Sequence, residues 1–354
     1  MKLSYYDKSI TGILTVVPAY ERKFVDDMVN FNFSEARSLK LKEVMGYDRH
    51  RIVNGHVCSS DLAIHGLEHL LKTNRLSLEE IDALVVVTQS PDYLMPATSS
   101  VIHGRLGLHQ DVFCVDINQG CAGFIIGLMQ SFMLLDQLEI RKVVLINVDV
   151  LSRKVSSRDR NSFPLIGDAA SITIVENRPG AGDIKANLKM DGTRREALII
   201  PAGGFANPSN NTTAELVEDS EGNSRALDHL KMDGSGVFNF VMTEVPELIK
   251  DLLLWTKTEV SDIDTFLFHQ PNRFMLQKLA DKLNIPRDKM PSNIVESFGN
   301  SSGVTIPLAA TYNLSNKLLY EEQRICFSGF GVGLTWGAML ANLGPLQFCE
   351  MVEY

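Results

Sequence analysis

Residues 112–124, Val112-Phe113-Cys114-Val115-Asp116-Ile117-Asn118-Gln119-Gly120-Cys121-Ala122-Gly123-Phe124, join a strand-like apolar run to the helix-like run from Phe124 to Leu135. Cys121 falls at the junction. Gly120 and Gly123 flank it, so backbone or ligand can approach without an intervening side chain. A thiol at the first turn of a helix sits where unpaired N–H groups and the helix dipole favour negative charge. That position predicts a lowered thiol pKa and a nucleophile. The alternative is a small buried hydrophobe, which is what most free cysteines are.

Working outward, Ala83-Leu84-Val85-Val86-Val87-Thr88 and Lys142 to Val148 are continuous β-branched runs, as expected of strands covered on both faces. Ser4 to Val17 reads as one strand interrupted at Gly12, and Ser60 to Lys72 as an amphipathic helix. Strands alternating with helices predict α/β layering around a mostly parallel sheet. His65 and His69 stand four apart on that helix, but no third ligand follows at useful spacing, so no metal site is expected.

The chain also repeats itself. Leu78-Glu79-Glu80-Ile81-Asp82-Ala83-Leu84-Val85 is echoed by Val260-Ser261-Asp262-Ile263-Asp264-Thr265-Phe266-Leu267, and both lead into a strand ending near a glutamine, Gln89 or Gln270. Asn118 to Gly123 then parallels Phe298-Gly299-Asn300-Ser301-Ser302-Gly303, and Val143 to Val148 parallels Arg324 to Gly329. The pattern predicts two copies of one α/β unit divided near residue 180, with equivalent loops facing each other. Residues 203–230 are polar and read as a long surface insertion.

Composition limits the function classes. The 354 residues are 45% apolar and 22% charged, with a formal charge of −9, which argues against a nucleic-acid binder. No apolar run is long enough for a membrane span, and the first twenty residues lack the apolar core of a signal peptide. Five scattered cysteines without a CxxC pair suit a reducing, cytoplasmic setting.

Three further features converge on Cys121. His269, in His269-Gln270-Pro271-Asn272, closes a strand and is placed to face a cleft; a surface histidine at a corner is the plain alternative. Asn300 lies between Gly299 and Gly303 in the loop that the repeat sets against Cys121; an ordinary helix cap is its alternative. Gly329-Phe330-Gly331-Val332-Gly333-Leu334-Thr335-Trp336-Gly337 reads as a glycine-rich turn able to offer free N–H groups to an oxyanion. It lacks the residues of a phosphate loop.

This order of Cys, His-Gln-x-Asn, Gly-Asn-x-Ser and a Gly-rich Thr-Trp-Gly turn resembles the β-ketoacyl-acyl carrier protein synthase III family of the thiolase-like superfamily. Asp159-Arg160 with Leu165-Ile166-Gly167-Asp168, Pro201-Ala202-Gly203-Gly204 and Met232-Asp233-Gly234 extend the resemblance over nearly the whole chain. It implies a five-layer αβαβα sandwich of two duplicated βαβαβαββ halves, residues 1–180 carrying the cysteine and 181–354 carrying the histidine and asparagine, in a homodimer. It implies that Cys121 takes an acyl group from a coenzyme A or carrier-protein thioester. His269 and Asn300 would then drive decarboxylating condensation with a malonyl thioester, in fatty-acid or specialised biosynthesis. The backbone N–H groups of Cys121, Val332 and Gly333 would hold the oxyanion, with no metal or organic cofactor. For substrate contacts the resemblance points to Arg160 (stacking on adenine), Met95 (reaching the partner's acyl pocket), Asn272, Arg273 (docking an acidic carrier protein) and Phe298.

The chain departs from that pattern in places. Lys40 and Val44 stand where the family grips coenzyme A with tryptophan and arginine. Gln119-Gly120, Val332 and Met95 are also unusual, which implies a specialised paralogue with an unusual acyl group. Acyl transfer to a hydroxyl or amine is the alternative chemistry on this fold. Peptide hydrolysis is disfavoured because Cys121 lies deep in the chain, and a non-catalytic subunit because all three site residues are retained.

Overall fold

The computed structural model describes residues 1–354 and is built around two mixed sheets. The first contains β2 (Lys8–Val17), β3 (Ala83–Val87), β4 (Phe113–Ile117), β5 (Lys142–Asp149), β6 (Ala169–Asn177) and β11 (Phe348–Glu353), in the order β4-β3-β5-β6-β2-β11. The second contains β1 (Lys2–Tyr5), β7 (Ile184–Met190), β8 (Thr265–Phe268), β9 (Gln323–Gly331) and β10 (Thr335–Leu343), in the order β8-β9-β10-β7-β1. In each sheet parallel pairs (β3 with β5, β8 with β9) give way to antiparallel ones (β5 with β6, β9 with β10). The predicted repeat is thus visible as one strand order used twice.

Two differences from the sequence reading concern strands. The second sheet has no counterpart of β4, because residues 289–293 form no ladder. Pro291 has no N–H to give a ladder, and its carbonyl accepts instead from the Gln270 side chain at 2.9 Å. Residues 4–17 are two strands rather than one. The chain turns at Asp7 (φ 55°), and β1 leaves for the other sheet. The N-terminal strand therefore pairs with β7 and the C-terminal strand with β2.

Helices complete five layers. The outer faces carry α2 (Ser59–Lys72) and α3 (Thr98–Leu106) on the first sheet, and α5 (Gly234–Thr256) and α6 (Arg273–Leu283) on the second, while α1 (Glu35–Met45) lies to the side against α6. Between the sheets run α4 (Gly123–Leu134) and α7 (Thr305–Tyr320). A helix with sheets on both sides must be apolar all round, and α4 (GFIIGLMQSFML) is. Phe124, Leu128 and Phe132 from α4 pack with Ile306, Leu308 and Ala309 of α7 in one core. Both central helices start at the joint between the halves, and the loops preceding them form the site.

Candidate active site

Cys121 follows β4 and His269 follows β8, so both stand at the carboxyl ends of parallel strands, where α/β sheets bind ligands. Helix α4 begins two residues after Cys121. The space around the thiol exists because its neighbours are glycines. A Cβ on Gly331 would lie 2.7 Å from Cys121 Cβ and 2.9 Å from Sγ, and one on Gly329 would lie 2.8 Å from the Cys121 carbonyl. These two glycines belong to β9, so the turn predicted over 329–337 is only Val332-Gly333-Leu334. Strand glycines here clear room rather than bend the chain. Gly331→Ala is expected to destabilise the fold by about 1–3 kcal/mol through overpacking and to slow thiol alkylation, checked by urea melts and iodoacetamide kinetics.

The predicted thiol pKa is corrected by the structure. Burial pushes Cys121 up to about 12, the nearby Asp149 carboxylate adds to that, and the Ser302 hydroxyl with the Cys121 and Val332 amides pulls the other way. The backbone N–H groups at the helix start favour the thiolate, but desolvation outweighs them. The free enzyme therefore holds a thiol, faced by the two N–H groups that the oxyanion expectation named at Cys121 and Val332. Gly333 lines an adjoining cavity.

Asn300 is fixed by the opposite half. Its N–H donates to the Leu165 carbonyl at 2.7 Å, and its carbonyl accepts from Gly167 at 3.1 Å. This close approach requires glycine at 167, where a Cβ would lie 2.0 Å from the Phe298 carbonyl, and at 299, where φ is +77°. Asn300 Oδ1 accepts from the Ser302 N–H at 2.9 Å, which leaves the Nδ2 donors for a ligand.

His269 is buried against Phe330, with ring centroids 5.5 Å apart, and burial drives its pKa down to about 3. The ring is neutral and carries one N–H. Its Nδ1 lies 2.7 Å from Thr305 Oγ1, which also accepts from the Gln270 N–H at 3.2 Å and donates to the Ser302 carbonyl at 3.0 Å. Thr305 and Ser302 were not singled out from sequence. Their only signal was a place in the first turn beyond Asn300.

Two cavities meet at these groups. The first, of about 410 Å³, is walled by Leu151, Leu165, Ile166, Leu198, Ile199 and Leu230, and the second, of about 550 Å³, reaches past His269 to α1 and α5. Cys121 and Asn300 line both. The segment 203–230 is more than a surface insertion, since residues 219–225 edge the second cavity and Thr213, Asn223 and Ala226 are buried.

Other expected contacts fall differently. Arg160 lines the second cavity, but its guanidinium lies over Phe33 at 4.7 Å and donates to the Glu221 carbonyl at 2.7 Å. Asn272 lines the same cavity and caps α6, accepting from Met275 at 2.8 Å. Arg273 lines neither cavity; it pairs with Glu296 at 3.5 Å and donates to the Glu43 carbonyl. Phe298 is core, packed on Tyr312 at 5.1 Å. Met95 is 80% exposed on the loop before α3, away from this chain's own cavities. Beyond these, Arg49 faces Glu21, His50 faces Asp27 and Arg51 faces Glu353.

Two stacked halves with a thiol at their joint define a thiolase-like fold. Residues 115–192 match the family described as 3-oxoacyl-[acyl-carrier-protein (ACP)] synthase III, and residues 255–343 match its C-terminal counterpart. A β-ketoacyl-[acyl-carrier-protein] synthase III of Streptococcus gordonii is 34% identical over 83% of this chain and 87% of its own, and one of Clostridium perfringens is 31% identical over 80% and 85%. The crystal structure of a 3-oxoacyl-(acyl-carrier protein) synthase from Burkholderia xenovorans superposes with a TM-score of 0.92 at 31% identity, over 100% of this chain and 99% of that one. The chain belongs to the 3-oxoacyl-[acyl-carrier-protein] synthase III family.

Proposed function

We propose that Cys121 carries the acyl group, and that His269 and Asn300 activate the second substrate, in a decarboxylating Claisen condensation of an acyl thioester with a malonyl thioester. The observation that carries this reading is the junction: Cys121 and Asn300 stand where an apolar cavity meets the one that leads to His269. The apolar cavity holds the acyl chain and the other admits the thioester arm. Residues 1–180 and 181–354 act as two halves that each supply part of this joint.

In the first half-reaction Cys121 Sγ attacks the thioester carbonyl. The Cys121 and Val332 amides hold the oxyanion, and the thiol proton ends on the departing sulfur. In the second, the malonyl thioester loses carbon dioxide and its electron pair moves onto the thioester oxygen. Asn300 Nδ2–H and His269 Nε2–H donate to that oxygen. The enolate carbon then attacks the acyl carbonyl and expels the Cys121 thiolate, which takes a proton from solvent. A neutral His269 can donate from Nε2 only if Nδ1 accepts, so in that step the single Thr305 proton turns from the Ser302 carbonyl to Nδ1. Thr305→Val is expected to lower condensation about tenfold, the worth of one hydrogen bond, with Thr305→Ser close to wild type. Stopped-flow rates for the two half-reactions check this, and equal losses in both would count against it.

No metal or organic cofactor takes part; coenzyme A or phosphopantetheine enters only as the arm of a substrate. An acyl carrier protein is the partner. No helix is long and apolar enough to cross a membrane, and we assign the chain to the cytoplasm. It works as a homodimer, paired through β4, whose outer edge has no ladder partner and whose Phe113 is half exposed, and through the loop Tyr93-Leu94-Met95. Intact-protein mass spectrometry with acyl and malonyl thioesters tests the function. An acyl-Cys121 adduct that never consumes malonyl thioester would favour simple acyl transfer instead.

A further inference from the structure

The charged side chains lining the second cavity are Arg160, Arg225, Asp219, Glu221 and Asp233. Neither guanidinium is free. Arg160 donates to the Glu221 carbonyl at 2.7 Å and to Asn223 Oδ1 at 2.9 Å, and lies 3.4 Å from the Glu221 carboxylate. One face of it rests on Phe33. Arg225 is held between Asp159 at 3.0 Å and Asp219. Asp233 accepts from Gly236 N and Ser235 Oγ at the start of α5 and forms no ion pair, with Lys231 its nearby cation. The segment that supplies Asp219 and Glu221 is seated on the chain beside Phe33, since a Cβ on Gly222 would lie 3.1 Å from Asn32 Nδ2. Asn223, within it, is 1% exposed.

We infer that this mouth is built for a phosphopantetheine arm borne by a protein, and that it disfavours the same acyl group on coenzyme A. The preference concerns the donor for the Cys121 acyl-transfer reading and depends on that reading. Coenzyme A differs from the bare arm by a nucleotide with a pyrophosphate and a phosphomonoester. Those groups would meet a lining in which carboxylates outnumber cations and every cation already has an acid partner. An adenine could stack only on the face of Arg160 that Phe33 leaves uncovered. To pair with it, a phosphate would have to displace Glu221. Such unpaired like charge is how a site rejects a competitor. The free cations lie outside: Arg37 and Lys40 are exposed on α1, beside the half-exposed Leu39 and Val44, while Leu41 and Met45 of the same helix line the cavity. That mixed basic and apolar surface suits an acidic protein that delivers its arm inward.

The test presents one acyl group on coenzyme A, on pantetheine alone and on an acyl carrier protein, and follows acylation of the full-length enzyme by intact-protein mass spectrometry. The pantetheine thioester should acylate Cys121 at least as fast as the coenzyme A thioester, and the carrier-protein thioester about tenfold faster or more. Glu221→Gln should remove the carboxylate beside Arg160, leave its bonds to the residue 221 carbonyl and Asn223, and raise the coenzyme A rate several-fold at low salt. A coenzyme A thioester that outpaces pantetheine about tenfold, or a Glu221→Gln enzyme with an unchanged coenzyme A rate, would overturn the preference and leave acyl transfer intact. No Cys121 adduct from any of the three would instead overturn the acyl-transfer reading.

Discussion

Cys121→Ala is expected to abolish β-ketoacyl formation, by about 10⁴-fold or more, because no other group can hold the acyl chain between the two half-reactions. The same variant keeps Asn300, His269 and the cavity that admits the malonyl arm. It should therefore still release carbon dioxide from a malonyl thioester, without forming a carbon–carbon bond. Product analysis and carbon dioxide release, measured on one preparation, separate the two steps. If Cys121→Ala still made β-ketoacyl product with its native substrates, the acyl-enzyme mechanism would be wrong. Because burial holds the thiol up near 12, Cys121 should be alkylated slowly by general reagents and acylated fast by thioesters that fit the cavities.

His269→Ala and Asn300→Ala are expected to show the converse. Each removes one donor to the enolate oxygen, which is worth about 10²–10³ in the condensation rate. Neither is needed to form the acyl-enzyme, so the Cys121 adduct should appear in both variants. Equal loss of acylation would sink this division of labour. The pH dependence follows from the neutral ring. Its native pKa, near 3, lies below the ordinary histidine value, so the unfolded chain binds more protons as pH falls from that value toward 3. The sign is a loss of stability on acidification. The donor itself should persist across the ordinary assay range, and a condensation profile limited by His269 between about pH 5 and 8 would contradict it.

How far the sequence carried depended on whether a feature was local. Cys121 was legible because strand, glycines and apolar helix all lie within a dozen residues of it. Asn300 was legible because the internal repeat set its loop against Cys121, and the fold because one strand order recurs. Thr305 left no trace, since its hydroxyl matters only through a ring thirty-six residues away. The packing of Arg160 on Phe33 and its pairing with Glu221 left no sequence signal, because those residues come from distant segments. The thiol pKa went astray for a similar reason: the helix terminus is local, whereas desolvation sums over everything packed around the sulfur.

The exchange of chain ends ties folding to the order of synthesis. Strand β1 cannot pair until residues 184–190 exist, and the edge of β2 stays open until residues 348–353 are made. Neither half closes its own sheet, so the first sheet is complete only when β11 is laid beside β2. Loss of the chain from residue 348 onward would thus be felt along the edge of the half that bears Cys121. Such a truncated enzyme would expose a ready template for aggregation while every residue proposed for chemistry remained in the chain.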